Sequence, residues 1–218
     1  MGLSFDLYWS FRSPYSYMVM PRIEALVEQY DVECVVRPVY PLAVRTPEFF
    51  DERDPLWVPY LMTDVYREAA YLGLPFRWPR PDPVQRDADG RYPKEQLYIH
   101  RLTHLGVAAG ERGRGVAFLR QVSATIWSGE ITGWQEGDHL AGAAARAGLD
   151  LAELDAAVAA EEARLRGVVE ANQVAQREAG HWGVPLMVFG REPFFGQDRF
   201  DQMMWRMQQS GLEKRAQA

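Results

Sequence analysis

Three short stretches carry side chains that could act together: Ser13-Pro14-Tyr15-Ser16, Gly183-Val184-Pro185 and Gly196-Gln197-Asp198-Arg199. Serine before proline is a common helix start, because the hydroxyl satisfies a free backbone N–H and proline suits the first helical position. The same geometry has a chemical use. A helix N-terminus presents unpaired N–H groups and a partial positive charge, so it stabilises an anion and lowers the pKa of a thiol placed there. Ser13 is not a thiol, but its hydroxyl could hydrogen-bond a thiolate brought by a cofactor. Pro185 reads either as the entrance to an edge strand or as a cis-proline, which would turn the Val184 N–H and C=O toward an extended peptide. Asp198 and Arg199 read as a helix cap and a solvated side chain, or as a pair that binds the α-amino and α-carboxylate groups of an amino-acid-like ligand.

Other candidates are weaker. His100 and His104 share one face of an expected helix, a spacing that can ligate zinc. The Glu of H-E-x-x-H and a third ligand are missing, so they read as helix surface or interface and no metal is assigned. The loop Phe76-Arg77-Trp78-Pro79-Arg80-Pro81 mixes arginine with aromatics, which could stack on a base. In a net negative chain it reads better as a lid lining a pocket for an aromatic carboxylate. Glu161, Glu162, Arg164 and Arg166 form a solvated helix face. Cys34 sits in a strand pattern as a buried residue; as the single cysteine it excludes an internal disulfide and dithiol chemistry.

The bulk numbers narrow the class. A chain of 218 residues with 47% hydrophobic content can bury a full core, as one large domain or two small ones. A net charge of −6 argues against nucleic acid or an anionic membrane as partner. No apolar run approaches the roughly 20 residues that span a bilayer. No secretory pattern follows Met1, and Asp6 stands where N-myristoylation wants Ser or Thr, so the expected compartment is the cytoplasm.

The elements that must position these residues follow from periodicity. Residues 3–9 read as a strand, 14–30 as a helix and 32–39 as a second strand, a β-α-β unit whose strands should be parallel. From about 59 to 180 helical periods dominate, with helices expected near 59–72, 95–110, 115–128, 137–147, 151–158 and 161–179. The Pro- and Arg-rich connection 74–93 is long for a structureless loop and reads as functional or mobile. Residues 186–189 and 192–195 have hairpin grammar, and Asp198 is expected to cap a last helix reaching about Gln209.

Taken together, these segments resemble the thioredoxin-like DsbA superfamily, in the branch of 2-hydroxychromene-2-carboxylate isomerases and kappa-class glutathione transferases. The resemblance runs through residues 11–17, Arg37-Pro38-Val39, Gly-Leu-Pro-Phe at 73–76, Trp127 to Ile131 and Ala147-Gly148-Leu149-Asp150. It closes with Gly183-Val184-Pro185 and Phe195-Gly196-Gln197-Asp198-Arg199. It implies an α/β, DsbA/kappa-type thioredoxin fold (1–45 plus 180–218) with a large all-helical insertion (46–179), whose helix at about 161–179 also packs on the first part. It further implies glutathione as cofactor, a small aromatic or conjugated electrophile as substrate, and a homodimer. Ser13 would then be catalytic, donating a hydrogen bond to the glutathione sulfur. Val184, before Pro185, would pair with the cysteinyl part, and Asp198 and Arg199 would hold the γ-glutamyl end. Arg12, Tyr15, Trp57 and Trp78 would border the substrate pocket. The activity implied is a glutathione-dependent cis–trans isomerase, with a kappa-like transferase or a non-catalytic thiol- or peptide-binding module as alternatives. Disulfide oxidoreduction is excluded for want of sulfur. The chain departs from the branch in having Trp57 where a lysine is frequent, no asparagine equivalent in Thr46-Pro47-Glu48-Phe49, and Trp182-Gly183 in place of Phe-Gly. These departures leave the electrophile unnamed.

Overall fold

A computed structural model describes residues 2–50 and 54–216. Four strands form a mixed sheet in the order β2-β1-β3-β4: β1 (Leu3–Trp9), β2 (Val32–Pro38), β3 (Leu186–Phe189) and β4 (Glu192–Phe195). The expected β-α-β unit is present. Helix α1 (Pro14–Gln29) crosses from β1 to β2, which run parallel from Leu3 beside Val32 to Trp9 beside Pro38. Strand β3 returns antiparallel to β1, and β4 antiparallel to β3 as the second arm of the hairpin.

The pleat explains the two faces. Phe5, Leu7 and Trp9 alternate into the main core, while Tyr8 joins Val39, Leu186 and Val188 in a smaller cluster. Helix α1 presents Met18, Val19, Ile23 and Leu26 to that main core.

Between β2 and β3 the chain is helical: α2 (Leu42–Arg45), a 3₁₀ turn at Pro47–Phe50, α3 (Trp57–Tyr71), α4 (Ile99–Glu111), α5 (Gly115–Trp127), α6 (His139–Arg146), α7 (Leu151–Ala160) and α8 (Glu162–Glu178). Helix α4 starts later than periodicity predicts, because the Gln96 side chain bonds the Gln85 N–H and the Gln85 and Pro93 carbonyls. Those bonds hold residues 95–98 to the preceding connection instead of to a helical turn. Gly115 lets α5 close on β2, since a Cβ there would lie 2.2 Å from Val36 Cγ2. Helix α8 reaches the sheet through Asn172, whose side-chain N–H donates to the Pro38 carbonyl at 3.0 Å.

Connection 74–93 is pinned. Phe76 stacks on Trp127 at 5.7 Å, Trp78 meets the same indole edge-on at 5.3 Å, and Trp134 donates to the Pro81 carbonyl at 2.8 Å. After β4 comes a 3₁₀ turn, Gln197–Arg199, and then α9 (Phe200–Gln209). Asp198 therefore does not cap the last helix as expected. It lies inside the turn, and Arg199 holds the cap position without a side-chain hydrogen bond. No helix among the described residues is long and apolar enough to cross a membrane.

Candidate functional site

Ser13 is the N-cap of α1, with extended backbone (φ −97°, ψ 118°) and Pro14 beginning the helix. Its Oγ accepts from the Ser16 N–H at 3.1 Å and donates to the Val184 carbonyl at 3.3 Å. One hydroxyl thus both caps the helix and touches the loop before β3. The first turn contains no acidic residue, so no carboxylate of the helix itself offsets the positive end of its dipole. Ser16 is buried, its hydroxyl without a partner among the described residues, and its carbonyl accepts from Trp9 Nε1 at 3.1 Å.

The Val184–Pro185 bond is cis. The Pro185 carbonyl accepts from the Gly196 N–H at 2.9 Å, which brings the Gly196–Arg199 turn alongside Val184. Gly196 has φ 97°, a left-handed conformation that glycine adopts without steric cost. Asp198 and Arg199 are exposed and pair with each other at 2.9 Å. Among the described residues the Val184 N–H has no hydrogen-bond partner.

Two polar links tie helix α3 to α1, one at its N-terminus and one at its middle. The Tyr15 hydroxyl donates to Asp64, which also receives Arg67. Burial, reinforced by the Asp64 bond, pushes the Tyr15 phenol up, so it stays protonated at neutral pH. Burial opposes ionisation of Asp64, yet the bonds from Tyr15 and Arg67 outweigh it and hold the carboxyl below its ordinary value. The second link is Gln197, which donates to Glu68 and accepts from Arg22 at its carbonyl, 2.8 Å away. Trp57 and Tyr60 precede Asp64 at helical spacing and share its face, with Trp57 39% exposed.

The four expected pocket residues divide into two pairs. Tyr15 lies at the Ser13 end of α1, bonded to the face of α3 that also carries Trp57. Arg12 turns away, its guanidinium on Asp82 at 2.9 and 3.1 Å and on the Tyr92 hydroxyl at 3.4 Å. Trp78 joins it there, donating to Asp82 at 3.3 Å, and lines a cavity of about 420 Å³ with Tyr66, Ile126 and Ile131. A larger cavity, about 820 Å³, runs along the open edge of β2 past Cys34; Ser13 lines neither. Burial pushes the Cys34 thiol up, the opposite of activation. His104 is buried with its Nε2 2.6 Å from the Tyr40 hydroxyl, and His100 packs against the same ring at 4.9 Å.

One part of the site went unseen in the sequence. Arg45, at the end of α2, donates to Gln176 Oε1 at 2.9 Å and to the Trp182 carbonyl at 2.5 Å. Gln176 in turn donates to the Gly183 carbonyl at 2.7 Å. Beside them Phe49 meets Trp182 edge-on, and His181 stacks between Trp182 and Phe195, 3.8 Å from the latter. A four-residue helix leaves no periodicity, and the contact joins residues 137 positions apart, so no local signal marks Arg45.

The matching family model describes a DSBA-like thioredoxin domain and spans residues 5–208. A sequence search of curated proteins finds no significant match. Among solved structures, a 2-hydroxychromene-2-carboxylate isomerase is similar at TM-score 0.69 and 20% identity, over 95% of this chain and 96% of that one. A probable DsbA oxidoreductase from Streptomyces coelicolor has TM-score 0.64 and 21% identity, with 99% and 92% covered. The cytosolic disulfide reductase DsbM from Pseudomonas aeruginosa, described with GSH, has TM-score 0.58 and 17% identity, with 94% and 100% covered. At these identities the structures speak for the fold. With a four-stranded mixed sheet, helices between its halves and a family model over nearly the whole chain, this protein belongs to the DsbA-like thioredoxin domain family.

Proposed function

We propose that the protein binds glutathione and uses it to catalyse the cis–trans isomerisation of an aromatic conjugated keto acid, in the manner of a 2-hydroxychromene-2-carboxylate isomerase. One observation carries this reading: a hydroxyl, not a thiol, occupies the cap of α1 and touches the carbonyl of Val184. The single cysteine of the chain lies in β2 with its thiol pushed up, so in this reading a sulfur nucleophile comes from outside. The residues present suit glutathione. The helix N-terminus, with no acid in its first turn, and Ser13 suit its thiolate, the Val184 N–H and C=O suit its cysteinyl amide groups, and Asp198 and Arg199 suit its α-amino and α-carboxylate groups.

When bound, glutathione would supply a thiolate nucleophile, the group that reversible addition to a conjugated double bond requires. The chain's own part is electrostatic. Ser13 turns its proton from the Val184 carbonyl, a long 3.3 Å contact, toward negative charge at the helix end. The backbone N–H groups there are fixed by the helix before any substrate arrives, so little reorganisation accompanies the reaction. Tyr15, tied to Asp64, keeps α3 in place, and Trp57 on that helix offers an apolar wall to an aromatic ring.

Product analysis tests the proposal. A conjugated cis keto acid is incubated with enzyme and a limiting amount of glutathione, and both isomer and free thiol are followed. The proposal expects many turnovers per glutathione with the thiol undiminished. Stoichiometric loss of thiol into a conjugate would make the protein a transferase instead, and binding with no turnover of any such substrate would make it a binding module.

A further inference from the structure

Arg45 stands apart from the other half-buried arginines. Arg12, Arg37 and Arg206 each meet a carboxylate, and Arg22 has Asp201, Glu68 and Asp198 in its surroundings. Arg45 donates to two neutral acceptors, Gln176 Oε1 and the Trp182 carbonyl, and its Nε is buried without an acceptor among the described residues. Among the described residues its charged neighbour is Arg177 of α8, a second cation. Burial first, and Arg177 second, push the guanidinium down to about 10, still a cation at neutral pH. Holding a positive charge partly out of water beside another positive charge costs free energy unless an anion joins it. A guanidinium has five N–H donors in a planar fork, and among the described residues the two bonds above leave donors to meet a carboxylate.

Position says which carboxylate. Gly196 bonds the Pro185 carbonyl, so the Asp198–Arg199 turn lies on the C-terminal side of Val184. Arg45 bonds the Trp182 carbonyl, and Gln176 the Gly183 carbonyl, both on the N-terminal side. A peptide pairing antiparallel with Val184 sends its preceding residue toward Pro185 and its following residue toward Gly183. At about 3.4 Å per residue, one further residue with a free C-terminus reaches the neighbourhood of the Trp182 carbonyl. Resting on the glutathione reading above, we infer that Arg45, braced by Gln176, binds the glycyl carboxylate of a γ-glutamyl tripeptide seated on Val184.

The test is a calorimetric titration of wild type and R45M with three probes: glutathione, γ-glutamylcysteine, and glutathione with its glycyl carboxylate converted to an amide. Wild type should prefer glutathione to the other two by about tenfold, the worth of a charge-assisted hydrogen bond. R45M should lose that factor for glutathione and bind all three alike. Equal weakening of all three probes by R45M would reduce Arg45 to a brace for the Trp182–Val184 loop and overturn the inference. So would a wild type that binds all three equally. A wild type that binds none of them would instead sink the glutathione reading itself. R45Q keeps a donor for the Trp182 carbonyl and gives the same comparison should R45M fold poorly.

Discussion

A hydroxyl and a thiol at the same helix end do different work. A thiol there ionises and reacts, whereas serine keeps its proton and can only donate it. Ser13 already shares that proton with the Val184 carbonyl, so removing it costs the charge stabilisation without emptying the groove. Ser13→Ala should therefore lower turnover by about 10²–10³-fold, as for other single donors to a developing or held charge. The affinity for glutathione should change only a few-fold; steady-state kinetics beside calorimetry check both. Ser13→Cys probes the same field from within. Its thiol should titrate below the ordinary cysteine value of about 8.5, because the first turn of α1 carries no acid, and the pH dependence of alkylation measures it.

Elements place these residues, and their caps and close contacts can be tested independently of activity. Asp150 caps α7, accepting from the Ala152 and Glu153 N–H groups at 2.7 and 3.1 Å. Asp150→Ala should cost about 1 kcal/mol in denaturant unfolding and leave glutathione affinity unchanged. Gly115→Ala should cost more, about 1–3 kcal/mol, because its Cβ would collide with Val36 where α5 meets β2. The sheet and most helices were legible because Phe5, Leu7 and Trp9 alternate with the pleat and α1 repeats its apolar face. Ser13 was legible because a cap is a local, typed position. What escaped was long-range or non-periodic. The start of α4 is set by the Gln96 side chain, Asp198 falls inside a 3₁₀ turn, and Arg45 matters through a bond to Trp182. Even Arg12, adjacent to Ser13, is drawn away by Asp82 in the pinned connection.

At the scale of the whole molecule, the buried His104 and half-buried His100 set a direction for pH sensitivity. Burial lowers His104, with His100 and Arg166 acting in the same sense and Glu162 opposing; burial also lowers His100, with Glu95 and Glu162 opposing. A histidine lowered on folding is charged more readily in the unfolded chain, so stability is present above the unfolded value of about 6.5 and is lost as pH falls below it. Thermal melts from pH 8 to 5 should show that fall, and His104→Gln should flatten it. The proposed catalysis belongs to the N-terminal end of α1 and depends on one electrostatic claim, that the folded scaffold holds a guest sulfur ionised. The ultraviolet absorbance of the thiolate, titrated for glutathione bound to wild type and to Ser13→Ala, measures this directly. The account predicts a bound thiol ionised well below its free value in wild type and shifted back toward that value in Ser13→Ala. A bound thiol that titrates like free glutathione in both proteins would contradict it.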